Sequence, residues 1–129
     1  MNKPIFAAAI IMTATIFLHV IGGGEEVHVP MQAGGLSPFL AAFAAVLWHA
    51  VTVVLIIMAL ALFWLARHPN RPLALALIGL MLGWSAVFIL YGAVRLGDLW
   101  QMPQWTIFTT VPALMIWGLM MRKTGVDQT

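Results

Sequence analysis

The sequence of 129 residues contains no cysteine and very little charge. Without cysteine it can form no disulfide bond, thiolate nucleophile, or zinc or iron–sulfur site with cysteine ligands. Charged residues make up 8% of the chain, against about a quarter of an average soluble domain, and 63% of its residues are hydrophobic. A chain of this composition needs lipid as its solvent, and its net charge of +2 is too small to suggest a nucleic-acid partner.

Several reaction classes also lack their characteristic residues. The two serines, Ser37 and Ser85, have no histidine and carboxylate close to them in sequence, so no hydrolase triad is visible. The triple glycine at 22–24 lacks the lysine and the strand-to-helix context of a phosphate-binding loop. No aspartate or glutamate lies within an apolar run, although coupled carriers usually place one there. We identify no catalytic motif and leave open whether the protein is an enzyme.

Four apolar runs each approach the roughly 20 residues needed to cross about 30 Å of hydrocarbon. They cover about 5–21, 39–66, 73–94 and 105–121. The pattern predicts an all-α integral membrane protein, an antiparallel four-helix bundle forming one domain over residues 1–129. Pro112 lies inside the fourth run and is expected to kink that helix and free the carbonyl of Phe108. The connection from Gly22 to Pro38 is predicted to be an outer loop, either strand-like at 27–31 or irregular.

The first run has a second interpretation as a secretory signal. Lys3, the apolar stretch and the glycines at 22–24 together resemble a signal followed by a small-residue cleavage site. The stretch is long for a signal, and glycine replaces alanine poorly at such a site. We therefore favour its retention as a membrane-spanning helix.

The basic residues predict how the bundle is oriented. Five of the six cations fall on one side of the four runs: Lys3, Arg67, Arg71, Arg122 and Lys123. By the positive-inside rule this side, with both termini, is cytoplasmic, and we expect a multi-pass protein of a bacterial inner membrane. The aromatic residues agree, with Trp64 and Trp117 at the inner interface and Tyr91, Trp100 and Trp105 at the outer one.

The polar residues of the outer side are the best candidates for a site, since ionisable groups are costly in a membrane protein. Candidate ligands of a divalent metal ion are His19, Glu25, Glu26, His28 and His49. Imidazole and carboxylate groups in this combination suit zinc, copper, nickel or iron. His49 shares a helix face with Ala45 and Thr52, which predicts that it points into the bundle. The alternative interpretation is a solvated acidic loop beside a packed, neutral histidine.

Two more specific metal centres are less favoured. Glu25-x-x-His28 has the spacing of helical di-iron sites, but those sites need two such pairs and two further carboxylates. A haem with two histidine ligands needs both at nearly equal depth. His19 is predicted roughly 3–5 Å below the outer boundary and His49 roughly 13–15 Å below it, so haem fits poorly.

The end of the third run supplies a second group of candidates. Arg95 is the one basic residue placed against the charge rule, and Asp98 follows it. We expect Arg95 to pair with Glu25, Glu26 or Asp98, and the alternative is contact with an anion or a lipid headgroup. The candidate ligand-binding residues at the outer mouth of the bundle are then His49, Arg95, Asp98 and Trp105.

Small residues at helical spacing suggest how the helices pack. Gly79-x-x-x-Gly83 in the third run, and similar stripes in the others, predict a bundle interior that is small and lightly polar. Three functions remain open. The leading one is an accessory or assembly subunit with a membrane-protein partner, or a homo-oligomer. The alternatives are a protein that binds a metal ion or polar ligand at the outer side, and a small channel or carrier.

Overall fold

The computed structural model describes the backbone of residues 1–126 and the side chains of residues 1–121. Within that part the chain is all-helical, contains no strand, and has four helices long and apolar enough to cross a membrane. They are α1 (Lys3–Ala33), α2 (Pro38–Leu65), α3 (Arg71–Leu96) and α4 (Gln104–Val126), with a short 3₁₀ turn at Leu99–Gln101. The predicted fold class, an all-α multi-pass membrane protein, is confirmed.

Three of these helices begin with the same local chemistry. The side-chain oxygens of Asn2, Ser37 and Asn70 each accept a hydrogen bond from a backbone N–H three residues later. A proline in the first turn follows each of these caps, where its missing N–H costs no helical hydrogen bond. We call the end of the bundle that carries the N-terminus and the connection between α2 and α3 the inner end, and the opposite end the outer end.

The largest difference from the sequence prediction lies at the outer end of α1. The segment predicted to be a loop continues the helix through two π-helical turns, Leu18–Gly22 and Gly24–His28, into the α-helical turn Val29–Ala33. The N–H of Gly23 bonds to the carbonyl of Leu18, and that of Val29 to Gly24, both five residues back. A glycine in a helix costs only about 0.5–1 kcal/mol, which packing against α2 offsets here. The predicted loop was wrong.

The four helices pack in the order α2, α1, α4, α3. Helix α1 contacts both α2 and α4 along its length, and α3 packs against α4. Within the described residues, α2 and α3 make no extended contact with each other, although they follow one another in sequence. The centre of the bundle is therefore the α1–α4 pair, and α2 and α3 flank it.

The core lies mainly in the inner half of the bundle and extends towards the outer end between α3 and α4, where Phe108 is buried. Its fully buried large side chains are Met12, Leu55, Met58, Leu62, Leu65, Met81, Val111, Pro112 and Met115. This interior is built mainly from methionine and leucine with alanines between them, so it is bulkier and more apolar than predicted. Of the small residues predicted to face inward, Ala8 and Thr15 of α1 are buried. Pro112 lies inside α4, as expected from the sequence.

Asn2 joins three helices at the inner end. Its side-chain Nδ2 donates to the carbonyl of Gly118 at 2.7 Å, and its backbone N–H donates to the carbonyl of Ala66 at 2.7 Å. The residue is buried, and its Oδ1 also caps α1. This is the same end that carries Lys3, Arg67 and Arg71, while Arg122 and Lys123 lie outside the described side chains.

The outer half of the α1–α2 pair is packed much less. Beyond Thr15 in α1, and before Leu55 in α2, none of the described side chains is fully buried. The predicted inward stripe of α3 is also on the outside, because Gly79 and Gly83 are exposed with nothing within 4 Å of a Cβ built on either. Helices α1 and α2 meet in this half chiefly through ring-bearing side chains.

Candidate functional site

Trp48 of α2 is the centre of the ring cluster in the outer half. Its indole stacks on the imidazole of His19, with centroids 4.1 Å apart and planes 21° from parallel. It also stacks on His28, at 5.3 Å and 23°. Both histidines belong to α1, so one indole from α2 contacts two imidazoles of the neighbouring helix.

The π-helical turns bring these two histidines to the same face of α1. In an α-helix, nine residues turn the chain by about 900°, which would place His19 and His28 on opposite faces. A π-helix, whose hydrogen bonds join residues five apart, has about 4.4 residues per turn, so nine residues complete just over two turns. The wider turn therefore aligns His19 and His28 towards α2.

Gly23 lets the indole approach the backbone of α1 between these histidines. A Cβ built on Gly23 would lie 3.0 Å from Cη2 of Trp48, tighter than ordinary van der Waals contact. Gly22 and Gly24 have nothing within 4 Å of the same atom. Of the three consecutive glycines, Gly23 alone is needed for close packing.

A hydrogen bond fixes His19 on α2. Its Nε2 lies 3.2 Å from Oγ1 of Thr52. The Thr52 hydroxyl also lies 3.2 Å from the carbonyl of Trp48, so the imidazole, the hydroxyl and the carbonyl form one hydrogen-bonded chain. Thr52 thereby connects the first imidazole to the turn of α2 that presents the indole.

His28 lies beside the third imidazole of the cluster, His49. Their ring centroids are 5.6 Å apart and the planes are inclined by 64°. The Nδ1 atom of His28 is buried and has no hydrogen-bond partner. His49 is exposed on the surface of α2, so the prediction that it points into the bundle was wrong. Its neighbour in sequence, Trp48, takes the inward position.

The two glutamates of the predicted metal set are not part of this cluster. Glu25 and Glu26 are exposed. In π-helical geometry the three residues from Glu25 to His28 advance by about 245°, which turns the carboxylate away from the imidazole. Among the described residues, no group of three or more histidine, aspartate or glutamate side chains is arranged to hold a metal ion.

The second predicted group lies at the other hairpin, between α3 and α4. Asp98 accepts a hydrogen bond from the N–H of Trp100 at 2.8 Å and so caps the 3₁₀ turn. Trp105 donates from Nε1 to the carbonyl of Leu99 at 3.2 Å. Within the described side chains, Arg95 makes no ion pair with Asp98 or with either glutamate, and no hydrogen bond or ring contact joins this group to His49.

Two recesses of the described part are not at the ring cluster. One has a volume of about 210 Å³ and lies on the surface of α3 beside Tyr91 and Arg95. A second recess of about 10 Å³ lies at the inner end, beside Asn2. Neither recess is lined by a histidine.

Comparison of the chain with models of protein families, with curated proteins and with solved structures found no match. Its function must therefore be inferred from the geometry of the bundle and of the ring cluster.

Trp48 is the site residue that the sequence prediction missed. Six tryptophans occur in a strongly apolar chain, and those near helix ends are explained by the membrane interface. Trp48 lies well inside α2, ten residues after its first residue, where that explanation does not apply. The sequence did offer one signal for Trp48, which is its position directly before the candidate residue His49.

Proposed function

We propose that this membrane protein is a small subunit of a larger membrane assembly. The observation that supports the proposal is the outward face of α3. Ala76, Gly79, Gly83 and Ala86 all lie on that face and are all exposed. A transmembrane helix of another protein is the partner that such a face fits best, because small residues let two helix backbones approach closely.

The cost of these glycines supports a contact rather than lipid exposure. Each glycine in a helix is less favourable than alanine by about 0.5–1 kcal/mol. Gly79 and Gly83 have open space where a side chain would be, so no contact within the bundle requires them. A neighbouring helix packed along this stripe would explain why both positions are glycine.

The channel or carrier alternative has less support. Transport needs a polar path through the bilayer, and polar groups at depth usually mark it. The inner half of the bundle is filled by apolar side chains such as Met12, Leu62 and Met115, all fully buried. We therefore favour the subunit over the carrier.

We further propose that the assembly lies in a bacterial inner membrane with both termini in the cytoplasm. The distribution of basic residues supports this orientation, because the inner end carries Lys3, Arg67 and Arg71 whereas the outer end carries Arg95. Because the chain has no cysteine, single cysteines test it without background. A membrane-impermeant maleimide added from outside should label Leu36→Cys but leave His68→Cys unlabelled.

The assembly itself is tested by site-specific photo-cross-linking in native membranes. A photoreactive amino acid at Ala76 should give one discrete adduct to another protein, whereas the same group at Leu60 should not. Leu60 is 64% exposed on α2 and serves as the matched lipid-facing position. Extraction in mild detergent should give a stable complex for the native chain and loss of the partner for Gly83→Leu.

The result also separates the two kinds of partner. An adduct of twice the mass of the chain would indicate a homodimer through the α3 stripe and would overturn the accessory role. Equal adducts from Ala76 and Leu60, or none from either, would overturn the proposal that the stripe is an interface.

A further inference from the structure

We infer that His28 and His49 form a two-imidazole binding site for a first-row transition-metal cation. The inference concerns the outer half of the α1–α2 pair. It is independent of the proposed assembly, since neither residue belongs to the α3 stripe.

The spacing of the two rings fits a shared ion. An imidazole nitrogen binds zinc at about 2.0–2.1 Å, so two imidazoles on one tetrahedral ion have ring centres roughly 5 Å apart. The observed separation between the His28 and His49 centroids is 5.6 Å. In the proposed site the ion lies between these two rings, with one nitrogen of each residue as a ligand.

The unpartnered nitrogen of His28 supplies the second observation. Leaving a buried polar atom without a partner costs about 1–3 kcal/mol. The Nδ1 of His28 is in that position while its ring is fixed against Trp48. An ion bound between His28 and His49 would give this nitrogen its partner, and the stacked indole would hold the ring in place.

The donor set selects the class of ion. Two neutral nitrogen ligands suit copper, nickel and zinc, whereas magnesium and calcium require oxygen ligands. Glu25 and Glu26, exposed in the same π-helical turn as His28, add negative charge that favours a cation nearby. With no third ligand in reach among the described side chains, water completes the coordination and the expected affinity is in the micromolar range.

His19 is excluded from the site by its own hydrogen bond. Its Nε2 is hydrogen-bonded to Thr52, and its ring is stacked on the indole at 4.1 Å. His68, at the inner end of α2, stacks on Trp64 and is far from the cluster in sequence and depth. These two histidines provide matched controls.

The test is a Cu²⁺ titration of the full chain, purified in detergent with a tag that contains no histidine. We expect one equivalent to bind with micromolar affinity, and its electron paramagnetic resonance spectrum to show hyperfine splitting from two nitrogens. His28→Gln and His49→Gln should each weaken binding by about tenfold or more, equivalent to about 1.4 kcal/mol. His19→Gln and His68→Gln should change affinity by less than about threefold, equivalent to under about 0.7 kcal/mol.

Thermal unfolding without metal accompanies the titration, so that a variant that fails to fold is recognised. Equal Cu²⁺ affinity in the native chain and in a folded His28→Gln, His49→Gln double variant would overturn the inference. Loss of binding in the His68→Gln variant would overturn it as well, because the ion would then lie at the inner end. Mg²⁺ at the same concentration should not compete.

Discussion

His19 and Trp48 connect α1 to α2 in the outer half of this helix pair, where none of the described side chains of either helix is fully buried. Their rings are 4.1 Å apart and nearly parallel, and the histidine is bonded to Thr52 one turn along from the tryptophan. In lipid no hydrophobic effect drives helices together, so directional contacts of this kind contribute more of the association. The outer half of the α1–α2 hairpin therefore depends on one indole.

We predict that Trp48→Leu destabilises the protein by about 1–3 kcal/mol. The substitution keeps an apolar side chain but removes the stacking on His19 and on His28, each worth about 0.5–1.5 kcal/mol. The measurement is the free energy of unfolding in mixed micelles as a denaturing detergent is titrated in. Trp64→Leu is the matched control, since Trp64 is 46% exposed and stacks only on exposed His68. Equal losses in the two variants would contradict the role given to Trp48.

The three consecutive glycines give a second prediction. Gly23→Ala should destabilise the protein by about 1 kcal/mol or more, because the new Cβ would lie 3.0 Å from the indole of Trp48. Gly22→Ala and Gly24→Ala meet no atom within 4 Å and should be neutral or stabilising by up to about 1 kcal/mol. Near-ultraviolet circular dichroism should change for Gly23→Ala only, as the indole moves. The prediction fails if all three variants behave alike.

The number of spans was predictable from the sequence, because an apolar run of about 20 residues has few alternatives in lipid. The helix starts were also readable, since Asn2, Ser37 and Asn70 each precede a proline in the first turn. These signals depend only on residues that are close in sequence, so they can be read without knowing how the helices pack. Lipid-exposed faces are as apolar as buried ones, however, so composition could not show which side of α3 or α2 faces outward.

The candidate site was only partly predictable, and the π-helical turns explain why. Helical periodicity assigns residues to faces at 3.6 residues per turn, and that rule places His19 and His28 on opposite faces of α1. The same rule placed His49 inward and gave no role to Trp48. The glycines and the proline near His28 favoured a loop, because their cost in a helix is visible in sequence while the compensating contact of Trp48 with Gly23 is not.

The inner end gives the third prediction. Gly118→Ala should destabilise the protein by about 2–3 kcal/mol, because its Cβ would lie 2.5 Å from Oδ1 of Asn2 and 2.9 Å from Cγ1 of Ile5. Asn2 cannot move aside easily, since it bonds to Gly118, to the N–H of Ile5 and to Ala66. The same detergent titration measures the loss. Gly79→Ala, with nothing within 4 Å, is the control and should not destabilise the protein in detergent.

A double-mutant cycle shows whether the destabilisation caused by Gly118→Ala depends on the side chain of Asn2. Asn2→Ala alone removes a helix cap and the bond to Gly118, and should cost about 1–2 kcal/mol. In that background Gly118→Ala should cost clearly less than in the native chain, because the atom it would meet first is gone. Residues in direct contact give coupling free energies of about 0.5–3 kcal/mol in such cycles. Additive losses would mean that the steric conflict lies with Ile5 and not with Asn2, and that the joint between α1 and α4 is apolar packing.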